Sequence, residues 1–313
     1  MEILKFYPIY KEAIWGGDNL NKIFNRDIPS KKTGESWDLT CRTNDMSVVC
    51  QGKYKDRTFL DVINTNRKNF LGNKLEHTKD FPLLIKIIDA NDNLSIQVHP
   101  DDDFANKIEN LPYGKSEMWY VEKSESGTLI AGVNLKTSTE LRNSIKDNSI
   151  LNYLNYEKIK KGSVIDIPAG LVHAITSGNI VYEIQQNSDT TYRLFDYNRI
   201  DKKGKSRELH IEKGCDATKC QLTSQALETG DVSKEIVKNN LFTVDLIVVN
   251  NVEEQSTDPD HFTTLTCVEG EATIEYGNKK INLIKGDTVF IPANLGDYKI
   301  FGTGKFLKAY VSP

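Results

Sequence analysis

The chain has 313 residues, enough for one large or two medium domains with a sizeable core. Hydrophobic residues make up 38% and charged residues 27%, and 40 Lys and Arg against 44 Asp and Glu give a net charge of −4. This balance predicts a soluble globular protein and gives no reason to expect nucleic acid or a membrane as a partner. Because the N-terminus lacks the basic start and apolar centre of a signal peptide, we expect a cytoplasmic protein.

The first regular element predicted in chain order is a helix over "RTFLDVINTNRKNFLG" (57–72), which has apolar spacing near 3.6 and ends at Gly72. A second helix is predicted over "TSTELRNSIKDNSILNYL" (137–154), where Thr137 precedes Glu140 by three residues, the spacing of a capping box. Neither segment carries a chemical motif, so both are expected to cover a β core.

Most of the remaining chain consists of short apolar runs separated by Gly, Asn, Asp and Pro, the pattern of a sandwich or barrel. The clearest strand candidates are "PLLIKIIDA", "LSIQVH", "EMWYVE", "GTLIAGV", "GSVIDIP" and "NIVYEIQQ". Near residue 225 the chain becomes polar before strands resume at "LFTVDLIVVN". We therefore predict a domain over 1–225 with helical insertions and a C-terminal domain over 226–313.

The five cysteines, Cys41, Cys50, Cys215, Cys220 and Cys267, are odd in number and form no C-x-x-C pair. Reduced thiols of a cytosolic protein are the favoured interpretation. A metal site or disulfide at Cys215 and Cys220 stays open, although their spacing is unusual for zinc.

Two segments of the chain echo each other: "GSVIDIPAGLVHAI" (162–175) and "GDTVFIPANLGDYKI" (286–300) share the pattern G-x5-P. The first copy resembles the second sequence motif of the cupins, G-x5-P-x-G-x2-H, and ends at His173. The second copy has Asp297 at the corresponding position. The resemblance implies a mainly β fold of two cupin-type jelly-roll barrels, of which the C-terminal one is metal-free.

Strand alternation places further candidate ligands on common faces. Gln97 and His99 share one face of their strand, and Lys115 and Glu117 share a face of the next one. Together with His173, two imidazoles and a carboxylate with a neighbouring amide form an acceptable ligand set for zinc. The same set suits non-haem iron, and spacing alone does not choose between them.

Longer blocks resemble the type I mannose-6-phosphate isomerases in their short bacterial form. These blocks are "IYKEAIWGG", "GESWDLT", "IKIIDANDNLSIQVHPDDDFA", "GKSEMWYV", "IPAGLVHAI" and "EIQQNSDTTYRLFDYNR". The resemblance implies a zinc-dependent enzyme, with one Zn²⁺ per chain, that interconverts mannose 6-phosphate and fructose 6-phosphate. It also implies a hexose phosphate as the substrate, and it leaves the oligomeric state open.

Carried over residue by residue, the resemblance implies His99, Glu117, His173 and Gln97 as metal ligands. It implies Arg193, Lys115 and Glu183 as catalytic residues, with Arg193 and Lys115 also binding substrate. Guanidinium stays protonated, so Arg193 is expected to orient and stabilise negative oxygens. Whether Lys115 or Glu183 moves the carbon-bound proton is not fixed by the sequence.

Two other functions remain open for such a site. One is an Fe(II) cupin oxygenase that uses the same two histidines and carboxylate. The other is a sugar-phosphate-binding cupin without catalysis. The amide of Gln97 disfavours the oxygenase, and the retained Lys115, Glu183 and Arg193 disfavour a protein that only binds.

Overall fold

The structure is a computed structural model that describes residues 1–200 and 204–311. The strands, in chain order, are β1 (Leu4–Lys5), β2 (Ile9–Gly17), β3 (Thr33–Leu39), β4 (Cys41–Arg42), β5 (Asp45–Met46), β6 (Leu83–Ala90), β7 (Ile96–Val98), β8 (Glu117–Ser124), β9 (Thr128–Val133), β10 (Leu154–Lys158), β11 (Ser163–Ile167), β12 (His173–Ala174), β13 (Asn179–Gln186), β14 (Tyr192–Phe195), β15 (Leu227–Glu228), β16 (Lys234–Lys238), β17 (Phe242–Ser256), β18 (Thr263–Tyr276), β19 (Lys279–Ile284), β20 (Thr288–Ile291) and β21 (Asp297–Val311).

The helices are α1 (Asn19–Phe24), α2 (Phe59–Ile63), α3 (Arg67–Leu71), α4 (Asp102–Phe104), α5 (Ser138–Lys146) and α6 (Ile211–Ala217). A π-helical turn spans Ala105–Glu109 and a 3₁₀ turn spans Ile150–Tyr153. None of the described helices is both long and apolar enough to cross a membrane.

The chain forms two compact units. Unit 1 comprises Met1–Ile9, Ser36–Ile87 and Thr229–Pro313, and unit 2 comprises Tyr10–Glu35 and Ile88–Glu228. The unit boundaries therefore fall inside β2, β3 and β6. The expected division of the chain into 1–225 and 226–313 stays a prediction.

Unit 1 is built around an antiparallel sheet in the order β1-β20-β18-β21-β17-β16, with β19 paired to β18. The long strands β17, β18 and β21 pair over most of their lengths, which brings their backbones into continuous contact. Gly270 (φ +76°) is required there, since a Cβ would lie 2.0 Å from the Thr303 carbonyl oxygen. One face of the sheet buries an aliphatic core that includes Val249, Leu265 and Ile300.

Unit 2 contains the strands of two further sheets. One sheet runs in the order β10-β9-β12-β7-β14, and the other includes the order β15-β11-β8-β13. A hydrophobic core draws inward side chains from both sheets, such as Leu129 and Ala131 of β9 and Trp119 and Val121 of β8.

The opposite face of the five-stranded sheet in unit 2 is covered by α5 and α6. A second apolar cluster contains Ile96 and Val98 of β7, Leu141 of α5 and Cys215 of α6. Because β7 buries these two side chains against helices, its alternate residues face the other sheet.

The structure confirms the mainly β cupin fold and the strands named above. The sheets of the described residues are not closed into a barrel, because their edges stay open. Their inward side chains pack across two facing sheets instead, which buries the core without closure.

The two helical predictions have different outcomes. The capping box at Thr137 and Glu140 starts α5 as expected, but the predicted extent to residue 154 is wrong: α5 ends at Lys146, and Ile150–Tyr153 forms a separate 3₁₀ turn. The single helix predicted over 57–72 is instead α2 and α3, because the side chain of Asn66 accepts a hydrogen bond from Asn69 N and begins a new helix. The second of them ends at Gly72, which has φ +95°.

Candidate metal centre and active site

Strand register places one row of side chains inside unit 2. On the five-stranded sheet, His173 lies opposite both Ala131 and Gln97, and Gln97 lies opposite Arg193. Ala131 belongs to the core between the sheets, so this row faces inward. Lys115, Glu117 and Glu183 contribute from the facing sheet and the segment before it.

His99, Glu117 and His173 form a compact buried group. One ligand atom from each lies within 4.8 Å of the others, and their exposed fractions are 1%, 0% and 0%. The two Nε2 atoms are 3.2 Å apart, and each lies 3.4 Å from an oxygen of Glu117. In the part of the chain that the structure describes, this is the group with such geometry.

The protonation of both imidazoles follows from their outer hydrogen bonds. His99 Nδ1 lies 2.9 Å from the Thr190 carbonyl oxygen, and His173 Nδ1 lies 2.8 Å from that of Leu171. A carbonyl only accepts, so each Nδ1 carries the hydrogen and each Nε2 presents a lone pair. Burial, with the positive charge of Lys115, lowers the pKa of His99 to about 3, and burial also lowers the pKa of His173.

Glu117 is ionised within this group. Burial raises the pKa of its carboxyl, but Lys115 and His99 lower it more, so the pKa lies well below its usual range. Neither of its oxygens has a hydrogen bond of good geometry. Two imidazole nitrogen lone pairs and an ionised, buried carboxylate converge on one point, and this is a donor set that binds divalent metal ions, so these residues fit a divalent metal ion.

Gln97 borders the same group. Its Nε2 lies 3.3 Å from His173 Nε2, and its Oε1 lies 3.4 Å from Ser95 Oγ. An amide turned by a half rotation presents its oxygen where the nitrogen now lies, as a metal ligand requires. The role of Gln97 as a ligand stays a prediction.

Lys115 and Glu183 extend the group with two titratable side chains. Lys115 Nζ lies 2.9 Å from Glu117 Oε2, 3.0 Å from His99 Nε2 and 3.9 Å from Glu183 Oε1. The other carboxylate oxygen of Glu183 accepts a hydrogen bond of 2.7 Å from Trp119 Nε1. The ammonium of Lys115 thus lies within 4 Å of both the Glu183 carboxylate and two of the candidate metal ligands.

Arg193 lies at the margin of the site. Its Nη1 donates to the Glu208 carbonyl oxygen at 2.8 Å, while its Nε is buried without a partner. Burial lowers the pKa of Arg193, and the neighbouring Arg207 adds to this effect. Gln97 and Arg193 are half-buried and the other site residues are buried, so the site meets solvent on this side.

Sequence reasoning missed several groups that hold the site together. The carbonyls of Thr190 and Leu171 carry no sequence signal, since every residue has one. Trp119 was detectable, because strand alternation puts it on the same face as Glu117. Gln185 was detectable in the same way, because it lies two residues after Glu183 and therefore on the same face of its strand.

The second copy of the repeated turn keeps its backbone but not this chemistry. Gly162 and Gly286 have φ values of +83° and +94°. His173 begins β12 and is buried, whereas Asp297 begins β21 and is exposed.

Facing β-sheets that enclose two histidines and a carboxylate define a cupin with a metal-type site. Residues 3–143 match the family described as phosphomannose isomerase type I, catalytic domain, and residues 233–311 match the mannose-6-phosphate isomerase cupin domain. The chain belongs to the type I mannose-6-phosphate isomerase family.

Similar proteins match almost the whole chain. Mannose-6-phosphate isomerase ManA of Bacillus subtilis is 36% identical, with 99% of both chains covered. Mannose-6-phosphate isomerase of Streptococcus mutans is 37% identical, with 93% of this chain and 92% of that protein covered. The crystal structure of mannose 6-phosphate isomerase from Bacillus subtilis superposes with a TM-score of 0.88 at 32% identity, covering 99% of both chains.

Proposed function

We propose that the protein is an aldose–ketose isomerase that interconverts mannose 6-phosphate and fructose 6-phosphate, with one Zn²⁺ per chain. The observation that carries the proposal is the buried group of His99, Glu117 and His173, in a chain related to such isomerases over almost its full length. The reported relatives have isomerase names, which lends no support to an oxygenase or a protein that only binds sugar phosphates.

His99, Glu117 and His173 would hold the metal ion, with Gln97 as an additional ligand. The hydrogen bonds to the carbonyls of Thr190 and Leu171 support this role, because they turn both Nε2 lone pairs inward. When bound, a divalent ion acts as a Lewis acid that stabilises negative charge on substrate oxygens.

The isomerisation moves a proton from C2 to C1 of the open sugar through a cis-enediol, while the two oxygens exchange a proton. Glu183 and Lys115 are the side chains placed to carry these proton steps. The hydrogen bond from Trp119 fixes the carboxylate of Glu183, so one oxygen is oriented toward Lys115. General acid–base catalysis of this kind contributes roughly 10²- to 10⁴-fold.

Arg193 would orient the substrate and stabilise its negative oxygens from the half-buried side of the site. Its buried Nε without a partner supports this role, since a guanidinium fork matches phosphate and enediolate oxygens. We also place the enzyme in the cytoplasm. Cys41, Cys50, Cys215 and Cys220 form no disulfide, which supports a reducing compartment.

The test is removal and return of the metal. Protein stripped with a chelator should lose conversion of mannose 6-phosphate to fructose 6-phosphate. Adding Zn, Co, Mn or Fe(II) singly then identifies the active ion. Absence of turnover with every metal, despite metal binding measured by elemental analysis, contradicts the proposal.

Matched histidine variants separate the site from general effects. His99→Ala should lose bound metal and activity together. His77→Ala removes an imidazole that is 92% exposed, so it should retain both.

A further inference from the structure

Two consecutive buried glutamines end β13, and they face opposite sides of its sheet. Gln185 lies opposite Glu117 in the register with β8, so its side chain shares the inward face with the metal-type group. Gln186 points to the other face. Their exposed fractions are 0% and 4%.

The polar atoms of Gln186 all find protein partners. Its Oε1 accepts a hydrogen bond of 2.9 Å from Ser116 N, and its Nε2 donates to Asp102 Oδ1 at 2.8 Å. This glutamine is a structural link between segments, and it needs no ligand to satisfy it.

Gln185 differs from its neighbour in one atom. Its Nε2 donates to the carbonyl oxygens of Gln186 and Ser188, both at 2.6 Å, which fixes the orientation of the amide. A flipped amide would set oxygen against two carbonyls, so Oε1 must face away from them. That oxygen is buried and has no hydrogen-bond partner.

A buried acceptor without a donor is rare in folded proteins and destabilising, so its presence at a ligand site points to a donor supplied by the ligand. The position beside Glu117 narrows the donor to an O–H group held at the metal-type centre. Hexose phosphates carry several such groups along their carbon chain.

We propose that Gln185 Oε1 accepts a hydrogen bond from a hydroxyl group of the sugar phosphate, so that Gln185 helps to select the substrate. This inference rests on the proposed function. It assigns Gln185 to substrate binding and leaves the proton steps with other residues.

The test compares how the loss of one ligand hydroxyl changes the affinity for the unaltered enzyme and for Gln185 variants. Sorbitol 6-phosphate, an unreactive open-chain analogue, and derivatives each lacking one hydroxyl are titrated calorimetrically into the zinc-loaded enzyme. One derivative should bind the unaltered enzyme at least about tenfold more weakly than the parent. In Gln185→Met, that ratio should fall to within about twofold, because the acceptor is gone.

The ratio is insensitive to a purely structural role. Loss of the hydrogen bond from Gln185 to the Ser188 carbonyl oxygen weakens the binding of all ligands by the same factor, so this effect cancels in the ratio of affinities. Gln186→Met is the matched control, which should lower stability and leave every ratio as in the unaltered enzyme. Gln185→Asn withdraws the acceptor while keeping an amide, and it replaces Gln185→Met should that variant not fold.

Ratios that stay unchanged in both Gln185 variants overturn the inference, and a metal-bound water is then the donor. Failure of the proposed function is distinguishable from this result. In that case the unaltered enzyme itself neither binds sorbitol 6-phosphate nor turns over mannose 6-phosphate.

Discussion

Replacing Lys115 by Met should lower the unfolding free energy of the metal-free protein and increase the affinity of the protein for zinc. The side chain is 4% exposed, and its ammonium lies 2.9 Å from the Glu117 carboxylate. Methionine matches its length without the charge. In the metal-free variant the buried carboxylate would then lose its closest cation.

The magnitude follows from that distance. At an effective dielectric of about 20, two unit charges 2.9 Å apart attract by roughly 6 kcal/mol, most of which offsets desolvation. Removing one partner of a buried pair costs about 3–5 kcal/mol. A divalent ion neutralises the charge of Glu117 and is repelled by the ammonium of Lys115. The unfolding free energy of the zinc-loaded protein should therefore change little when Lys115 is replaced. By linkage, zinc should bind Lys115→Met about a hundredfold more tightly or better.

Competition with a chromophoric chelator measures the zinc affinity, and thermal unfolding with and without zinc measures the stability gap. Lys299→Met is the control, since the pair of Lys299 with Glu254 is exposed and screened by solvent, so its loss should change neither the zinc affinity nor the stability gap. Equal zinc affinity in the Lys115 variant and the unaltered protein would refute the electrostatic reasoning.

Three further substitutions test the positioning of Glu183, the role of Arg193 in substrate binding and the capping of α5. Trp119→Phe removes the 2.7 Å hydrogen bond to Glu183, so kcat should fall about tenfold or more while zinc content stays constant. Arg193→Ala should lower kcat/KM by at least about tenfold, mainly through kcat if the guanidinium acts in the transition state. Thr137→Ala removes the cap donated to by Glu140 N, which should cost about 1 kcal/mol of unfolding free energy without changing kcat.

For each of these three predictions, a specific result would contradict it. Tyr120→Phe alters the neighbour of Trp119 on the opposite face, and an equal loss of kcat there would deny Trp119 a specific role. A change below about twofold in both kinetic parameters would remove Arg193 from the site. An unchanged melting temperature of Thr137→Ala would show that the cap contributes nothing to α5.

Local patterns predicted the strands that carry the site because their side chains alternate. Ile96 and Val98 had to be buried together, which left Gln97 and His99 on the other face. Helix boundaries were less predictable over 57–72, where apolar periodicity continues across a capping asparagine at Asn66. Sheet closure was not predictable, since it depends on pairings between strands far apart in the sequence.

Within the site, residue identity indicated the ligands but not the bonds that orient them. The carbonyls of Thr190 and Leu171 set the imidazole tautomers, and nothing in a side-chain pattern marks a carbonyl. The difference between Gln185 and Gln186 was equally hidden. Both are buried amides in adjacent positions, and only their partners distinguish them.

The repeated turn shows that backbone shape and chemistry diverge independently in this chain. Gly162 and Gly286 keep the same left-handed conformation, so each turn feeds a strand in the same way whatever residue comes next. A histidine follows in one copy and an exposed aspartate in the other. A sequence search for G-x5-P alone therefore finds the turn whether or not a metal-type site is present. The histidine that follows must be included in the search to find copies that carry the metal-type site.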